Sequence, residues 1–270
     1  MIVDICTYNG EADLMEIRLN VLKDHVDKFI VVEFDKTFSG KNKPSYWERD
    51  KKRFKDFKIE YHLYDETFYE KYRELAENSP NTVGAEHWKR EFMQKESIKD
   101  SLEILKLDDK DIVFIGDVDE VWNPQLSLYA PKKPCKLGLT VYSYWLNNRS
   151  SEAFYGTLWA RYGQIKDKCF NHLRSQPIYH DYVPGAGWHF TSMGGYEEVK
   201  RKLSDSYTEE SYWSPQVQAH LEENLIHSKD FLGRDFSYII SEGEWPQYLK
   251  DTRDKYKHLL KESYGKEQGH

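Results

Sequence analysis

The chain has 270 residues, of which 39% are hydrophobic, 15% aromatic and 31% charged, and its net charge is −7 at pH 7. This is a globular composition, long enough for one large domain or two small ones, with no internal repeat, low-complexity tract or linker. The acidic balance, broken only by the short Lys51-Lys52-Arg53-Phe54-Lys55 patch, argues against a nucleic-acid partner.

Residues 2 to 8 read as a strand ended by the turn pair Asn9-Gly10. Leu14, Ile17, Val21 and Leu22 then fall at helical spacing. Lys28 to Phe34 reads as a second buried strand, with Glu33 near its carboxyl end, followed by a polar loop from Asp35 to Pro44. That loop lacks the spacing of a phosphate-binding loop. Ile59 to Leu63 predicts a third strand, residues 65 to 77 an amphipathic helix, and Glu86 to Leu105 a longer one. Strand and helix thus alternate over the first 120 residues, the pattern of a parallel sheet with right-handed crossovers.

The stretch that follows carries the chemistry. Ile112 to Ile115 is an apolar, β-rich run that reads as a strand buried on both faces, and it leads into Asp117, Asp119 and Glu120. Open α/β sheets bind ligands at that end of their strands. In an extended segment Asp117 and Asp119 point the same way. Two like charges so close call for a cation between them or a shared proton. All-oxygen ligands suit Mg²⁺ or Mn²⁺, which commonly also hold substrate phosphates. The plain alternative is a polar turn after a core strand.

In the second half, Lys136 to Leu146 predicts a long aromatic strand and Leu158 to Tyr162 another, with Asn147 to Gly156 between them as a polar binding loop. Residues 182 to 192 read as a turn and a short strand. Helices are expected over Glu197 to Leu203, Pro215 to Ser228 and Trp245 to Leu260. Cys6, Cys135 and Cys169 form neither a metal spacing nor a disulfide framework. With no apolar stretch of membrane-spanning length and no leader-like start, the expectation is a soluble, cytoplasmic chain.

Four blocks, in order, resemble a known family. They are Asn9-Gly10-Glu11-Ala12-Asp13-Leu14-Met15-Glu16-Ile17-Arg18-Leu19, then Val26 to Glu33 with Thr37-Phe38-Ser39-Gly40, then Asp117-Val118-Asp119-Glu120, and Gly187-Trp188-His189. Together they resemble glycosyltransferase family 17, the group containing the β-1,4-mannosyl-glycoprotein N-acetylglucosaminyltransferase that adds bisecting N-acetylglucosamine. The resemblance implies an α/β, A-type glycosyltransferase fold: Rossmann-like, with a mostly parallel central sheet flanked by helices. It also implies a UDP-sugar donor, a glycan acceptor, Mn²⁺ or Mg²⁺ at the Asp-X-Asp pair, and inversion at the anomeric carbon. One domain is expected over 1–270, with 1–124 as the nucleotide-sugar-binding half and 125–270 as the acceptor-side half.

The roles follow from what such a transfer needs: a neutralised diphosphate, a base for the acceptor hydroxyl, and placement of both substrates. Asp119 is the first candidate for the metal, with Asp117 on the ribose or on the metal through water, and His189 as a further ligand. Thr7, Asn9 and Glu33 lie at strand ends beside the expected nucleotide cleft. Arg18 either reaches the diphosphate or pairs with a neighbouring acid. Trp188 either stacks on a sugar or fills core. Glu120, Glu152, Asp181 and Glu198 are all eligible as base. Two rival functions remain: a haloacid-dehalogenase-like phosphatase with Asp117 as nucleophile, and a non-catalytic carbohydrate-binding protein.

Overall fold

In the computed structural model, residues 1–82, 85–176, 180–208 and 211–261 are described. The strands are β1 (Ile2–Thr7), β2 (Lys28–Phe34), β3 (Ile59–Tyr64), β4 (Ile112–Asp117), β5 (Glu120–Trp122), β6 (Cys135–Ser143), β7 (Asn148–Arg161), β8 (Asp181–Val183), β9 (Gly187–Thr191) and β10 (Tyr238–Ile240). They form one ten-stranded sheet in the order β3-β2-β1-β4-β7-β6-β9-β5, with β10 on β7 and β8 on β6. Both halves of the chain contribute to it. It is a mostly parallel, curled sheet flanked by helices, a Rossmann-like architecture.

The first four strands in this order, β3-β2-β1-β4, are all parallel. The chain moves outward from β1 to β2 and β3, then returns to the other side of β1 with β4. The crevice of such a sheet opens where the order reverses, and there Thr7 of β1 sits in register with Asp117 of β4. Strand alternation explains the central burial: Val113 and Ile115 pack into one core cluster while Phe114 packs into the other. On the second face Phe114 stacks on Trp122 with ring centroids 3.7 Å apart.

Beneath the carboxyl end of β4 lies a buried ion pair. Arg18, in the helix Ala12–Leu22, donates from Nε and Nη2 to the two carboxylate oxygens of Asp4, at 2.8 and 2.7 Å. Its Nη1 donates to the backbone carbonyls of Asp117 (3.1 Å) and Glu120 (2.5 Å). Trp122 Nε1 donates to Asp4 as well, at 2.8 Å. Arg18 is fully buried, so of its two expected roles the structure selects pairing with an acid and removes it from the nucleotide contacts.

Several elements differ from the sequence reading. The expected loop at Asn147 to Gly156 is instead the first part of the 14-residue β7. Its polar residues conceal the strand, which is held by backbone pairing to β6 and β10 rather than by apolar burial. The expected helix from Glu86 to Leu105 is two, Glu86–Glu96 and Ile98–Ile104, parted at Ser97. Residues 65 to 77 form three short helical pieces, and the tail is a short helix, Gln247–Asp251, followed by 3₁₀ turns. No described helix is long and apolar enough to cross a membrane.

Removing one partner of a buried pair leaves an uncompensated charge. Arg18→Met is therefore expected to destabilise the fold by about 3–5 kcal/mol, measured by urea unfolding, with Asp4→Leu in the same chain recovering part of the loss. A loss below about 1 kcal/mol would place the pair among weak surface bridges.

Candidate active site

The carboxyl ends of β1, β2 and β4 open into a cavity of about 240 Å³ whose wall includes Thr7, Asn9, Asp117, Asp119, Glu120 and His189. These six come from three separate stretches of chain. Glu120 and His189 meet because β9 runs antiparallel to β5 with those two residues as register partners. The N–H of Phe190 donates to the carbonyl of Asp119 at 2.9 Å, fixing the same contact. Gly187 permits it: a Cβ there would lie 2.3 Å from the Val121 carbonyl oxygen.

Each carboxylate of the acidic turn has its own environment. Asp117 accepts from Thr7 Oγ1 at 2.9 Å and faces Lys95 Nζ at 3.3 Å and Arg174 Nη2 at 3.6 Å. Burial alone would raise its pKa, but Lys95 and then Arg174 hold it well below the usual carboxylate range. Asp119 accepts from Lys202 Nζ at 2.7 Å through Oδ2, while Oδ1 faces His189 Nε2 at 3.6 Å. Here too burial is outweighed, by Lys202 and His189, and the group stays ionised.

Glu120 goes the other way. Its side chain is 1% exposed and accepts from Thr157 Oγ1 at 3.0 Å and from Arg174 Nη2 at 3.3 Å. Burial raises its pKa, Arg174 opposes, and the neighbouring Asp117 adds to the rise. The carboxylate occupies space that two glycines leave for it. A Cβ at Gly116 would stand 2.6 Å from Glu120 Oε2, and one at Gly156 2.7 Å from Oε1. Two adjacent strands thus give up side chains to accommodate one carboxyl group.

Three buried polar atoms around the acidic turn have no hydrogen-bond partner among the described residues: Asn9 Oδ1, His189 Nδ1 and Arg174 Nη1. Such atoms are rare in folded proteins and mark places completed by water, an ion or a ligand. Among the described residues no three His, Cys, Asp or Glu side chains converge on a point. The pair that shares an open face is Asp119 with His189.

Other expected site residues lie elsewhere. Glu33 is fully buried and serves the fold, accepting from Lys43 at 2.9 Å, from Ser45 and Tyr61, and from the backbone N–H groups of Tyr46 and Trp47. It is not part of the cavity wall. Arg18 lies below the turn. Trp188 donates from Nε1 to the Glu244 carbonyl and packs against a core cluster, so its core role holds and its stacking role does not. Asp181 is exposed on β8 and pairs with Lys133 at 2.7 Å. Glu198 is exposed and pairs with Arg201 at 2.9 Å. Glu152 lines a neighbouring cavity. Sequence reasoning missed Lys95, Arg174 and Lys202, the cations on the acidic turn, because no motif marks a lysine or arginine that reaches inward from a helix.

Residues 1–193 match the model of glycosyltransferase family 17. The chain belongs to this family. No curated protein matches it significantly. Membership in family 17 brings glycosyl transfer, and with it a sugar donor and an acceptor. It sets aside the phosphatase reading, in which Asp117 was the nucleophile. Lys202 lies beyond the matched residues, although its ammonium reaches Asp119 within them.

The raised pKa of Glu120 has a definite sign. A carboxyl group whose folded pKa lies above its ordinary 4.5 favours the protonated form, so the fold loses stability as pH rises from that value through the folded one. In this family-17 chain Glu120→Gln should therefore raise the melting temperature at pH 7, with the gain vanishing below pH 4.5. Differential scanning calorimetry across pH measures this, and a destabilised variant at pH 7 would contradict it.

Proposed function

We propose that the chain transfers N-acetylglucosamine from UDP-N-acetylglucosamine to a glycan hydroxyl, with inversion, and that Mn²⁺ or Mg²⁺ is held by Asp119 and His189. The observation that carries this is the pairing of Asp119 Oδ1 with His189 Nε2 across 3.6 Å. That gap exceeds an ordinary hydrogen bond, while one oxygen and one imidazole nitrogen facing the same cavity form a donor set that suits these ions. Two protein ligands are few, but Mg²⁺ sites of this kind are commonly completed by substrate phosphates and water. When bound, the ion supplies charge neutralisation for the departing diphosphate.

The remaining work belongs to the chain. Lys202 holds Oδ2 of Asp119 and leaves Oδ1 turned toward the cavity. Asp117 is balanced by Lys95 and Arg174, so its carboxylate is available to a ribose hydroxyl, with Thr7 fixing its orientation. The unpartnered Oδ1 of Asn9 suits the imide N–H of a uracil ring. The choice of N-acetylglucosamine, and the inverting course, rest on the resemblance to the transferases of bisecting N-acetylglucosamine. A cytoplasmic setting belongs to the same proposal and is supported by three free thiols.

A panel of nucleotide sugars with and without Mn²⁺ tests this by thermal shift and calorimetric titration. UDP-N-acetylglucosamine at a hundred times its dissociation constant should stabilise the protein by about 2.7 kcal/mol, and only with the ion. Asp119→Asn should abolish that response while the variant still folds cooperatively, and His189→Ala should weaken the Mn²⁺ dependence more than the fold. Equal donor binding in excess chelator would remove the ion from the proposal.

A further inference from the structure

We propose that a second cavity, beside the first, is the acceptor subsite, and that Glu152 is the base that takes the proton from the acceptor hydroxyl. The assignment rests on the donor reading above. This cavity, of about 170 Å³, shares His189, Lys202 and Phe154 with the cavity at the acidic turn. Its remaining wall includes Tyr144, Tyr212, Phe231, Glu152 and Arg234. Aromatic rings set beside charged groups are what a pyranose requires: apolar faces for its C–H surface, and donors and acceptors for its hydroxyls.

The geometry separates Glu152 from the other carboxylates. Asp181 lines neither cavity and is bound to Lys133. Glu198 lines a different recess, beside Arg201. Glu120 has both oxygens engaged, by Thr157 and Arg174. Asp230, also in the second cavity, is tied to Arg234 at 2.6 Å and to the backbone N–H groups of Leu232 and Arg234, and so holds a turn. Glu152 meets Arg234 Nη1 at 3.5 Å through Oε1, which orients the carboxylate and leaves Oε2 without a hydrogen bond among the described residues.

The strand beneath supplies the direction. Glu152 and Phe154 of β7 line the same cavity, and the space a Cβ at Gly156 would fill is bordered by Phe154 Cε1 at 2.5 Å and Glu120 Oε1 at 2.7 Å. Phe154 stacks on His189 with ring centroids 4.0 Å apart. From the acidic turn the site therefore runs along β7, past the Phe154–His189 stack, to Glu152, each pair of residues advancing about 7 Å. The donor's diphosphate and anomeric carbon lie at the His189 part of this path, and the acceptor hydroxyl lies between that carbon and Glu152. In the transfer step Glu152 accepts the hydroxyl proton as the acceptor oxygen bonds to the anomeric carbon. The bond from that carbon to the diphosphate oxygen breaks, its electron pair leaves with UDP, and the anomeric carbon inverts.

Two measurements test this without a known acceptor. In the first, UDP release from UDP-N-acetylglucosamine is followed with Mn²⁺ and water alone, then with a panel of methyl pyranosides. Glu152→Gln should lower kcat by roughly 10²–10⁴-fold, flatten the acidic limb of the pH–rate profile, and leave the donor dissociation constant within about twofold of the parent. In the second, saturation-transfer NMR on methyl pyranosides should lose its signal in Tyr212→Ala while donor binding persists. If the parent releases UDP and Glu152→Gln does so equally fast with an unchanged pH profile, Glu152 is not the base. If pyranoside signals survive Tyr212→Ala, the cavity is not the acceptor subsite. A parent that neither binds nor cleaves UDP-N-acetylglucosamine would overturn the donor reading itself, and this assignment with it.

Discussion

The guanidinium of Arg18 binds Asp4 with two of its nitrogens and the backbone carbonyls of Asp117 and Glu120 with the third, all without exposure to water. The acidic turn depends on this contact. Its two aspartates line a cavity, so something other than side-chain packing has to anchor its main chain. A planar group with several fixed donors does so where a lysine's single ammonium would not. Isolated in the core, either charge would be prohibitive; together they fix the exit of the turn from β4 to within hydrogen-bond tolerance.

Above that anchor the site is a problem of like charges. Asp117, Asp119 and Glu120 lie within four residues, and each is managed differently. Helices from three parts of the chain each deliver one cation, Lys95, Arg174 and Lys202, and these keep the two aspartates ionised. Glu120 sits farther back, between strands, and is pushed toward its neutral form by burial. Carboxyl groups only residues apart are thus shifted in opposite directions by environment alone, the arrangement by which active sites separate the roles of similar groups. The two glycines facing Glu120 indicate that this carboxylate is built into the sheet rather than tolerated by it.

The cavity also draws on the return of the chain. β5 leaves the end of β4 and pairs with β9, far on in sequence, which sets His189 beside Asp119. β7 crosses the same region and contributes Phe154 to stack on that histidine. The parallel half of the sheet supplies the end of a strand, as in other open α/β sheets. The antiparallel half supplies the walls.

Much of this was readable from residues alone. The alternation of strand and helix gave away the parallel half, since a strand buried on both faces has to be continuously apolar, as Ile112 to Ile115 are. The acidic block at its end was equally visible, because burial and charge change over within two residues. Family membership was legible in four short blocks, each tied to a turn or strand end. The sequence could not show that Asn148 to Gly156 is strand, since backbone pairing to β6 and β10, and not apolar side chains, holds it there. It left Arg18 between ligand and core, and it marked Glu33 as a ligand although its carboxylate caps the following helix. Lys95, Arg174 and Lys202 gave no signal at all. A long, flexible cation looks the same in sequence whether it points to water or to a carboxylate, and only the tertiary packing of its helix decides which.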